Sequence, residues 1–325
     1  MMQYDRITLG RQAKELNFVR DVFEKVRRLE GVLEIFERDD LLADRLALKG
    51  GTAINLTIFH LPRLSVDIDL DYSEMVPREV MQEKRELITS RLLKYMGADG
   101  YERSSRSKRY HALDSFVFEY QNAGGMRDNL KIEINYMLRS HIFPPYRRSV
   151  NLPWLERELT VLSVVPMEIY ASKIVALLNR TAPRDLYDVH NMLKYELFNE
   201  SEQGMLRKCV AFYLAVGSDT AAADLSMKNL WEMPQRRVKA DLAPVLHNGD
   251  FFALQPAREM VSSYLKELLQ FTEEEKAFLD QFKEKQYHPQ LLFDDMEIQK
   301  RLVSHPMAIW KCRPSREPSR DDRGQ

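Results

Sequence analysis

The hydrophobic residues of the first half of the chain predict both helices and strands. Over residues 11–38 and 78–96 they recur at steps of three and four, which is typical of amphipathic helices. Short apolar or alternating runs predict strands at residues 46–48, 65–71, 113–120, 130–136 and 159–164. This mixture predicts an α/β fold with a mixed sheet, in a first domain of residues 1–165.

Only the helical period remains after Pro166, which marks the predicted domain boundary. Helices are predicted over residues 167–180, 184–196, 202–216, 226–240, 257–270, 272–285 and 295–304. We therefore expect a helical C-terminal domain of residues 166–311. Residues 312–325 have almost no apolar side chains, so we expect a disordered tail there.

One predicted strand carries a row of acids on a single face. Alternation over residues 65–71 places Ser65, Asp67, Asp69 and Asp71 on the same side. Two carboxylates about 4 Å apart repel by roughly 4 kcal/mol at an effective dielectric constant near 20. A divalent cation bound between the carboxylates turns this repulsion into a net attraction. Mg²⁺ prefers a couple of carboxylates together with water and phosphates as ligands. The alternative is an exposed edge strand kept soluble by acids, although lysine is the commoner guard of such edges.

A pair of glycines comes shortly before this acidic strand. Gly50 and Gly51 follow an apolar strand end and allow a sharp turn that a ligand can approach closely. Thr52 is expected to cap a helix over residues 53–59, with its hydroxyl and the free N–H groups facing outward as an anion site. An anion-binding turn beside a metal-binding strand is what phosphoryl or nucleotidyl transfer requires.

These motifs carry a family resemblance. The glycine turn followed by Asp67-Ile68-Asp69 resembles the Gly-[Gly/Ser]-[Ser/Thr]…Asp-x-Asp signature of the DNA polymerase β superfamily of nucleotidyltransferases. The longer string KGGTAINLTIFHLPRLSVDIDLD, residues 49–71, is similar to a narrower group, the AbiEii/AbiGii toxins of type IV toxin–antitoxin and phage-defence systems. The resemblance covers roughly residues 40–195.

The resemblance implies roles for the residues of both motifs. Asp67 and Asp69 would hold Mg²⁺ or Mn²⁺, with NTP as co-substrate. The residues expected to cradle the NTP phosphates are Gly50, Gly51, Thr52 and Ser65. Superfamily enzymes place a third acid on a neighbouring strand, and Glu133 is the candidate here, as metal ligand and base toward the acceptor hydroxyl. An ordinary solvated strand face is the alternative for Glu133.

A second polar group lies where the helical region begins. Lys173 is on the inward side of one predicted helix, and Asp185 and Asp188 lie three residues apart on the next. A lysine supplies a point charge to phosphate, whereas the pair Arg184-Asp185 could hold geometry or orient a nucleophile. A surface lysine beside an ordinary acid pair is the alternative. The AbiEii-like family has a motif of this form, Lys…Arg…Arg-Asp-x-Tyr-Asp, so the resemblance carries catalytic and nucleotide-binding roles onto these four residues.

The composition limits the classes of protein that fit. Apolar residues make up 44 % and charged residues 30 %, as in soluble globular proteins. The formal net charge of -1 argues against a protein that coats nucleic acid through its overall field. Cys209 and Cys312 lie far apart, so neither a disulfide framework nor a zinc cluster is indicated. No apolar run is long enough to span a membrane and no signal peptide is evident, so we expect a cytoplasmic protein.

A local basic patch is still compatible with a nucleic-acid partner. Arg103, Arg106, Lys108 and Arg109 lie between two tyrosines, and basic residues interleaved with aromatics can follow a nucleic-acid backbone. A solvated loop is the alternative reading of this patch.

We therefore expect a metal-dependent nucleotidyltransferase that moves an NMP from an NTP to an acceptor. The resemblance suggests an RNA acceptor such as the 3′ end of tRNA, a toxic outcome and a cognate antitoxin encoded nearby. Two alternatives stay open: nucleotidyl or phosphoryl transfer to a protein or small molecule, and a non-catalytic module that binds NTP. The intact pair Asp67 and Asp69 argues against the module, which has no need of their repulsion.

Overall fold

The alternating segments of the first half form one mixed sheet. The computed structural model describes residues 4–217 and 226–313, and in them eight strands join in the order β3-β5-β6-β2-β1-β8-β7, with β4 paired to β5. The strands are β1 (Leu46–Lys49), β2 (Asp67–Tyr72), β3 (Glu102–Arg103), β4 (Lys108–Arg109), β5 (Leu113–Gln121), β6 (Arg127–Asn135), β7 (Tyr146–Ser149) and β8 (Thr160–Ser163). β2 pairs parallel with β6 and antiparallel with β1, so the sheet is mixed as predicted.

Helices precede the sheet, cover it and make up nearly all of the regular structure after β8. They are α1 (Arg6–Glu15), α2 (Arg20–Glu37), α3 (Asp40–Ala43), α4 (Gly50–Ala53), α5 (Arg78–Ala98), α6 (Pro166–Asn179), α7 (Pro183–Lys194), α8 (Gln203–Gly217), α9 (Lys228–Trp231), α10 (Gln235–Arg237), α11 (Leu254–Leu268), α12 (Glu273–Lys283), α13 (Met296–Leu302) and α14 (Pro306–Cys312). The predicted α/β architecture followed by a helical region is confirmed. None of the helices in the described ranges is both long enough and apolar enough to cross a membrane.

The core is continuous across the predicted domain boundary. One cluster of buried apolar side chains includes Leu9 near the start, Ile132 of the sheet, Ile174 of α6 and Ala308 of α14. The division at residue 165 therefore stays a prediction. Of the predicted disordered tail, only Cys312 and its neighbour fall in the described part, and residues 314–325 lie outside it.

The prediction of a single helix over residues 11–38 is wrong. Asn17 adopts a left-handed backbone conformation, with φ 59°, between α1 and α2. Asparagine adopts that conformation more readily than most residues, and here its side-chain amide donates to the carbonyl oxygen of Asn248, at 2.8 Å. Phe18, directly after it, is buried in the core. The hydrophobic period continues through the break, which is why periodicity alone did not reveal it.

The prediction of one helix over residues 226–240 is also wrong. The chain forms the short helices α9 and α10 and then a π-helix over Val238–Leu242. Pro234 separates α9 from α10, and proline has no N–H to continue a helical hydrogen-bond ladder. The other predicted helices of the second half are present with ends shifted by a few residues.

A buried glutamate ties the helical region to the loop after β6. Glu168 of α6 accepts hydrogen bonds from the backbone N–H groups of Ile142 and Phe143, at 3.0 and 2.8 Å, and from the Tyr213 hydroxyl at 2.6 Å. Burial raises the pKa of Glu168 to about 7 despite these donors. The folded chain therefore holds a proton that the unfolded chain releases at lower pH.

This proton predicts a pH dependence of stability. Because the pKa of Glu168 is higher in the folded chain than in the unfolded chain, its contribution to stability is complete at pH values below the unfolded pKa. This contribution is lost as the pH rises through 7. We expect the free energy of unfolding to fall by about 3 kcal/mol between pH 4.5 and 7.5 through this group. Urea titrations of wild type and Glu168→Gln across this range isolate it, since all other groups are shared. An identical pH slope in both proteins would contradict the assignment.

Candidate functional site

The strand register brings the acids of β2 and β6 into one row. Asp69 lies opposite Glu133 on the parallel side and opposite Lys49 on the antiparallel side. Ser115 of β5 lies opposite Glu133, and Lys108 of β4 lies opposite Ser115. Directly paired residues share a face of a sheet. These five side chains therefore cross the sheet on one side, which we call the acid face.

Asp69 is packed against the glycine turn. Gly50 has φ +65°, and a Cβ atom there would lie 2.7 Å from Asp69 Oδ2, so only glycine fits. Burial raises the pKa of Asp69, and the neighbouring charges of Asp67 and Glu133 raise it further. Lys49 and Lys173 oppose this shift. The site thus concentrates negative charge around Asp69 and faces it with cations.

Asp71, the last acid of the predicted row, has a different environment. It is buried, and its carboxylate pairs with the Lys49 ammonium. Burial raises its pKa, and Lys49 only partly offsets this. Asp71 therefore anchors β1 to β2 and leaves Asp67 and Asp69 as the acids of β2 that face the site.

The prediction that Thr52 caps the following helix is wrong. The helix starts earlier, at Gly50 with Lys49 as its N-cap, and continues after α4 as a π-helix over Ile54–Ile58. Thr52 is buried, and its hydroxyl bonds to the carbonyl oxygen of Asp67 and lies 2.9 Å from Ser65 Oγ. Its side chain fastens the turn to the acidic strand instead of facing outward.

The carboxylates of Asp67 and Asp69 fit a hard divalent cation. No described residue donates a hydrogen bond to either carboxylate, and Mg²⁺ commonly takes one or two protein carboxylates with water and phosphate oxygens. Within the described residues, no group of three or more His, Cys, Asp or Glu side chains is arranged to hold a metal. Glu133 instead pairs with Lys131, at 3.0 Å. Its role as a third metal ligand therefore stays a prediction.

The second polar group forms a buried ion-pair network. Lys173 Nζ lies 2.9 Å from Asp185 Oδ1 and 3.2 Å from Asp188 Oδ2. Burial alone lowers the pKa of Lys173, but the two carboxylates outweigh it and hold that pKa above its usual value. Although Asp185 is buried, Lys173 and Arg180 lower its pKa to about 2. Lys173 was predicted on the inward side of its helix and is indeed an interior cation, shared between two acids of α7, so the alternative of a surface lysine does not hold.

Arg63 is a member of this network that the sequence did not reveal. Its Nε and Nη2 atoms donate to the two oxygens of Asp188, at 2.8 and 2.7 Å, and its side chain is 2 % exposed. A Cβ atom at Gly51 would lie 2.8 Å from Arg63 Nη2, so this glycine makes room for the guanidinium group. The one hint in the sequence that Arg63 is buried was its position between the apolar residues Pro62 and Leu64.

Electrostatics couples the network to the acid face. Lys173 lowers the pKa of Asp69, and Asp69 in turn helps to raise the pKa of Arg180. Burial lowers the pKa of Arg184, against an opposing effect of Asp67. Arg184 also donates from Nε to the carbonyl oxygen of Asp241, at 2.7 Å. The acid face and the ion-pair network therefore act on one another, although Asp69 and Lys173 are more than 100 residues apart in sequence.

The basic patch is divided between the two faces of the sheet. Lys108 lies on the acid face by register, and Arg106 pairs with Glu119 of the same face, at 3.5 Å. Arg109 pairs with Glu86 of α5, and the Arg103 guanidinium lies 5.8 Å from the centre of the Phe116 ring, both on the opposite side. The four residues predicted as one patch are therefore two pairs.

A solved structure of a known protein shares the fold of this chain. The chain has the fold of MenT4, a nucleotidyltransferase toxin from Mycobacterium tuberculosis H37Rv, with a TM-score of 0.61 and 18 % identity over 94 % of this chain and 99 % of that one. A CdnC–HORMA complex from E. coli MS115-1 aligns at a TM-score of 0.24 and 15 % identity, over 93 % and 98 % of the two chains. No curated protein sequence matches the chain.

The family model described as nucleotidyl transferase AbiEii toxin, type IV toxin–antitoxin system, matches residues 34–286. This range holds both constellations and most of the chain. The chain therefore belongs to the AbiEii family and is a nucleotidyltransferase toxin of a type IV toxin–antitoxin system.

Proposed function

We propose that this toxin transfers an NMP from an NTP to an RNA hydroxyl, with the tRNA 3′ end as the acceptor, in the cytoplasm. The observation that carries the proposal is the row of Asp69 and Glu133 on paired strands, beside a glycine turn and within electrostatic reach of Lys173 in the buried ion-pair network. The acceptor oxygen forms a bond to the α-phosphorus, the bond to the β-phosphate oxygen breaks, and pyrophosphate leaves.

Each residue has a defined task in this proposal. Asp67 and Asp69 hold Mg²⁺ or Mn²⁺, which supplies Lewis-acid stabilisation of phosphate charge when bound. The backbone of the glycine turn and the Ser65 hydroxyl receive the triphosphate, with Thr52 positioning Ser65 through the contact of their hydroxyls. Glu133 accepts the proton of the acceptor hydroxyl, because it lies opposite Asp69 on the neighbouring strand.

Lys173 acts through its neighbours in this proposal. Its ammonium group holds Asp185 and Asp188 and lowers the pKa of Asp69, which favours the ionised carboxylate that a metal requires. Arg184 lies at the start of α7 and donates a hydrogen bond to the carbonyl oxygen of Asp241. Its positive charge acts on Asp67 and attracts the triphosphate.

Basic residues on the acid face support an RNA acceptor. Exposed Lys108 and Arg127 and partly exposed Lys131 lie on this face by register, and Arg106 reaches it through Glu119. These basic residues form a track that neutralises a few RNA phosphates, although the formal net charge of the protein is -1. A small-molecule acceptor has no need of the track.

Of the predictions for the site, the first concerns the metal-binding acids. Asp69→Asn should lower transfer from an α-labelled NTP by about 10³-fold or more, the scale expected when a group that stabilises transition-state charge is lost. The same change should raise the melting temperature without metal, because it removes a buried carboxylate repelled by Asp67 and Glu133. Asp294→Asn, at a carboxylate 97 % exposed, is the control. Wild-type transfer by Asp69→Asn would refute the assignment.

The second prediction concerns the ion-pair network. Lys173→Met should lower the free energy of unfolding by about 3 kcal/mol or more, because two buried carboxylates lose a cation. Lys173→Met combined with Asp185→Asn should recover part of that loss. Urea unfolding of wild type, both single variants and the double variant measures the coupling. Additive losses would show that the network does not act as a unit.

The third prediction separates RNA from other acceptors. Replacing Arg106 and Lys108 with Ala should reduce RNA labelling several-fold and reduce the slope of log affinity against log salt by roughly 1.5. Replacing Arg103 and Arg109, on the opposite face, is the matched control and should leave labelling unchanged. NTP binding should be the same in both variants. Equal RNA labelling by the two double variants would count against the track, and labelling confined to protein would favour the alternative acceptor class.

A further inference from the structure

A cavity of about 300 Å³ lies behind the sheet, on the side away from the acid face. The walls are formed mainly by the first two turns of α5, the residues that follow β6 and helix α14. Tyr136 lines it and, by strand alternation, points away from the side that carries Glu133. The cavity is therefore separate from the site proposed for transfer.

The walls carry strong positive charge. Arg78, Arg85, Arg139 and Arg313 line the cavity, and no acidic residue is among the lining residues in the described part of the chain. Arg85 is engaged by Asp114, whose two oxygens lie 3.0 and 2.6 Å from its Nε and Nη2 atoms. The other three arginines form a cluster of cations that no carboxylate of the described residues pairs with.

Two buried polar atoms of residues that line this cavity lack hydrogen-bond partners among the described residues. Tyr136 is 0 % exposed, and its hydroxyl has no hydrogen-bond partner among the described residues. The same holds for the buried Nε atom of Arg139, whose Nη1 reaches only the Tyr136 carbonyl, at 3.0 Å. Burial lowers the pKa of Arg139 because no carboxylate offsets it. Burying a polar or charged group without a partner costs free energy, and an anion in the cavity would supply the missing partner.

The volume of the cavity and its apolar walls indicate which class of ligand fits. A volume of about 300 Å³ is at the small end of ligand pockets, so a compact molecule fits and a nucleic-acid duplex does not. Trp310, 54 % exposed, and Ile309 form an apolar wall beside the arginines. Guanidinium groups bind phosphate in a bidentate manner, and an indole ring stacks on flat rings.

We propose that this cavity binds a phosphate monoester that carries a flat ring, of the nucleoside monophosphate class. Arg139, Arg78 and Arg313 contact the phosphate, the Tyr136 hydroxyl donates to it, and Trp310 lies against the ring. The site is independent of the proposed transfer reaction, because none of its residues belongs to the acid face.

Isothermal titration calorimetry on the full chain in EDTA tests the site without metal-dependent binding elsewhere. AMP, GMP, CMP and UMP are each titrated, with inorganic phosphate and adenosine as the two fragments of the ligand. At least one monophosphate should bind about tenfold or more tightly than either fragment. Absence of binding by all four monophosphates, or binding of adenosine as tight as that of AMP, would overturn the proposal.

Variants locate the binding. Arg139→Gln and the exposed Arg78→Gln should each weaken the bound monophosphate about tenfold, whereas Arg236→Gln, at an exposed arginine outside the cavity, should have no effect. Asp69→Asn should also leave the affinity unchanged, because Asp69 lies on the other face. Thermal unfolding verifies that each variant is folded. If Arg139→Gln does not fold, Arg78→Gln alone tests the location. Unchanged affinity in a folded Arg78→Gln, or loss of affinity in Asp69→Asn, would refute the location.

Discussion

The buried ion-pair network of Arg63, Lys173, Asp185 and Asp188 is the interaction on which the rest of the site depends. It joins the segment just before the acidic strand to helices α6 and α7, and Arg63 and Asp188 are 125 positions apart in the sequence. Burying two cations and two carboxylates has a large desolvation penalty, and loss of one member leaves a partner charge uncompensated. The glycine turn is built around the same network, because Gly51 leaves room for the Arg63 guanidinium.

The local patterns predicted correctly that the acids lie on strands. Alternation placed Asp67, Asp69 and Glu133 on strand faces, and the structure pairs β2 with β6 so that two of these acids lie opposite each other. Arg63 was missed because its partner is distant in sequence, and no local period indicates such a contact. The role of Thr52 was misjudged because its hydroxyl bonds to Asp67, across a loop whose path the sequence does not reveal.

The two faces of the sheet have different chemistry. The acid face combines carboxylates with a glycine turn and lies near the buried ion-pair network. This combination suits a nucleotidyltransferase of the AbiEii family. The opposite face carries a cavity lined by four arginines, three of which have no ion pair with a described residue. The basic patch around β4 contributes to both, because neighbouring positions on a strand point to opposite sides. A cluster read from sequence alone could not be assigned to one face, since the register of the two-residue strand β4 was not evident.

The central claim is that Asp67 and Asp69 hold the divalent cation that receives the NTP. Anomalous diffraction from crystals grown with Mn²⁺ and a non-hydrolysable NTP tests it most directly. We predict an anomalous peak within about 2.3 Å of an oxygen of each carboxylate, close to the Mg²⁺ and Ca²⁺ ranges for oxygen ligands, with the triphosphate against the glycine turn. A metal–nucleotide complex bound elsewhere on the chain, with these two carboxylates unoccupied, would contradict the account.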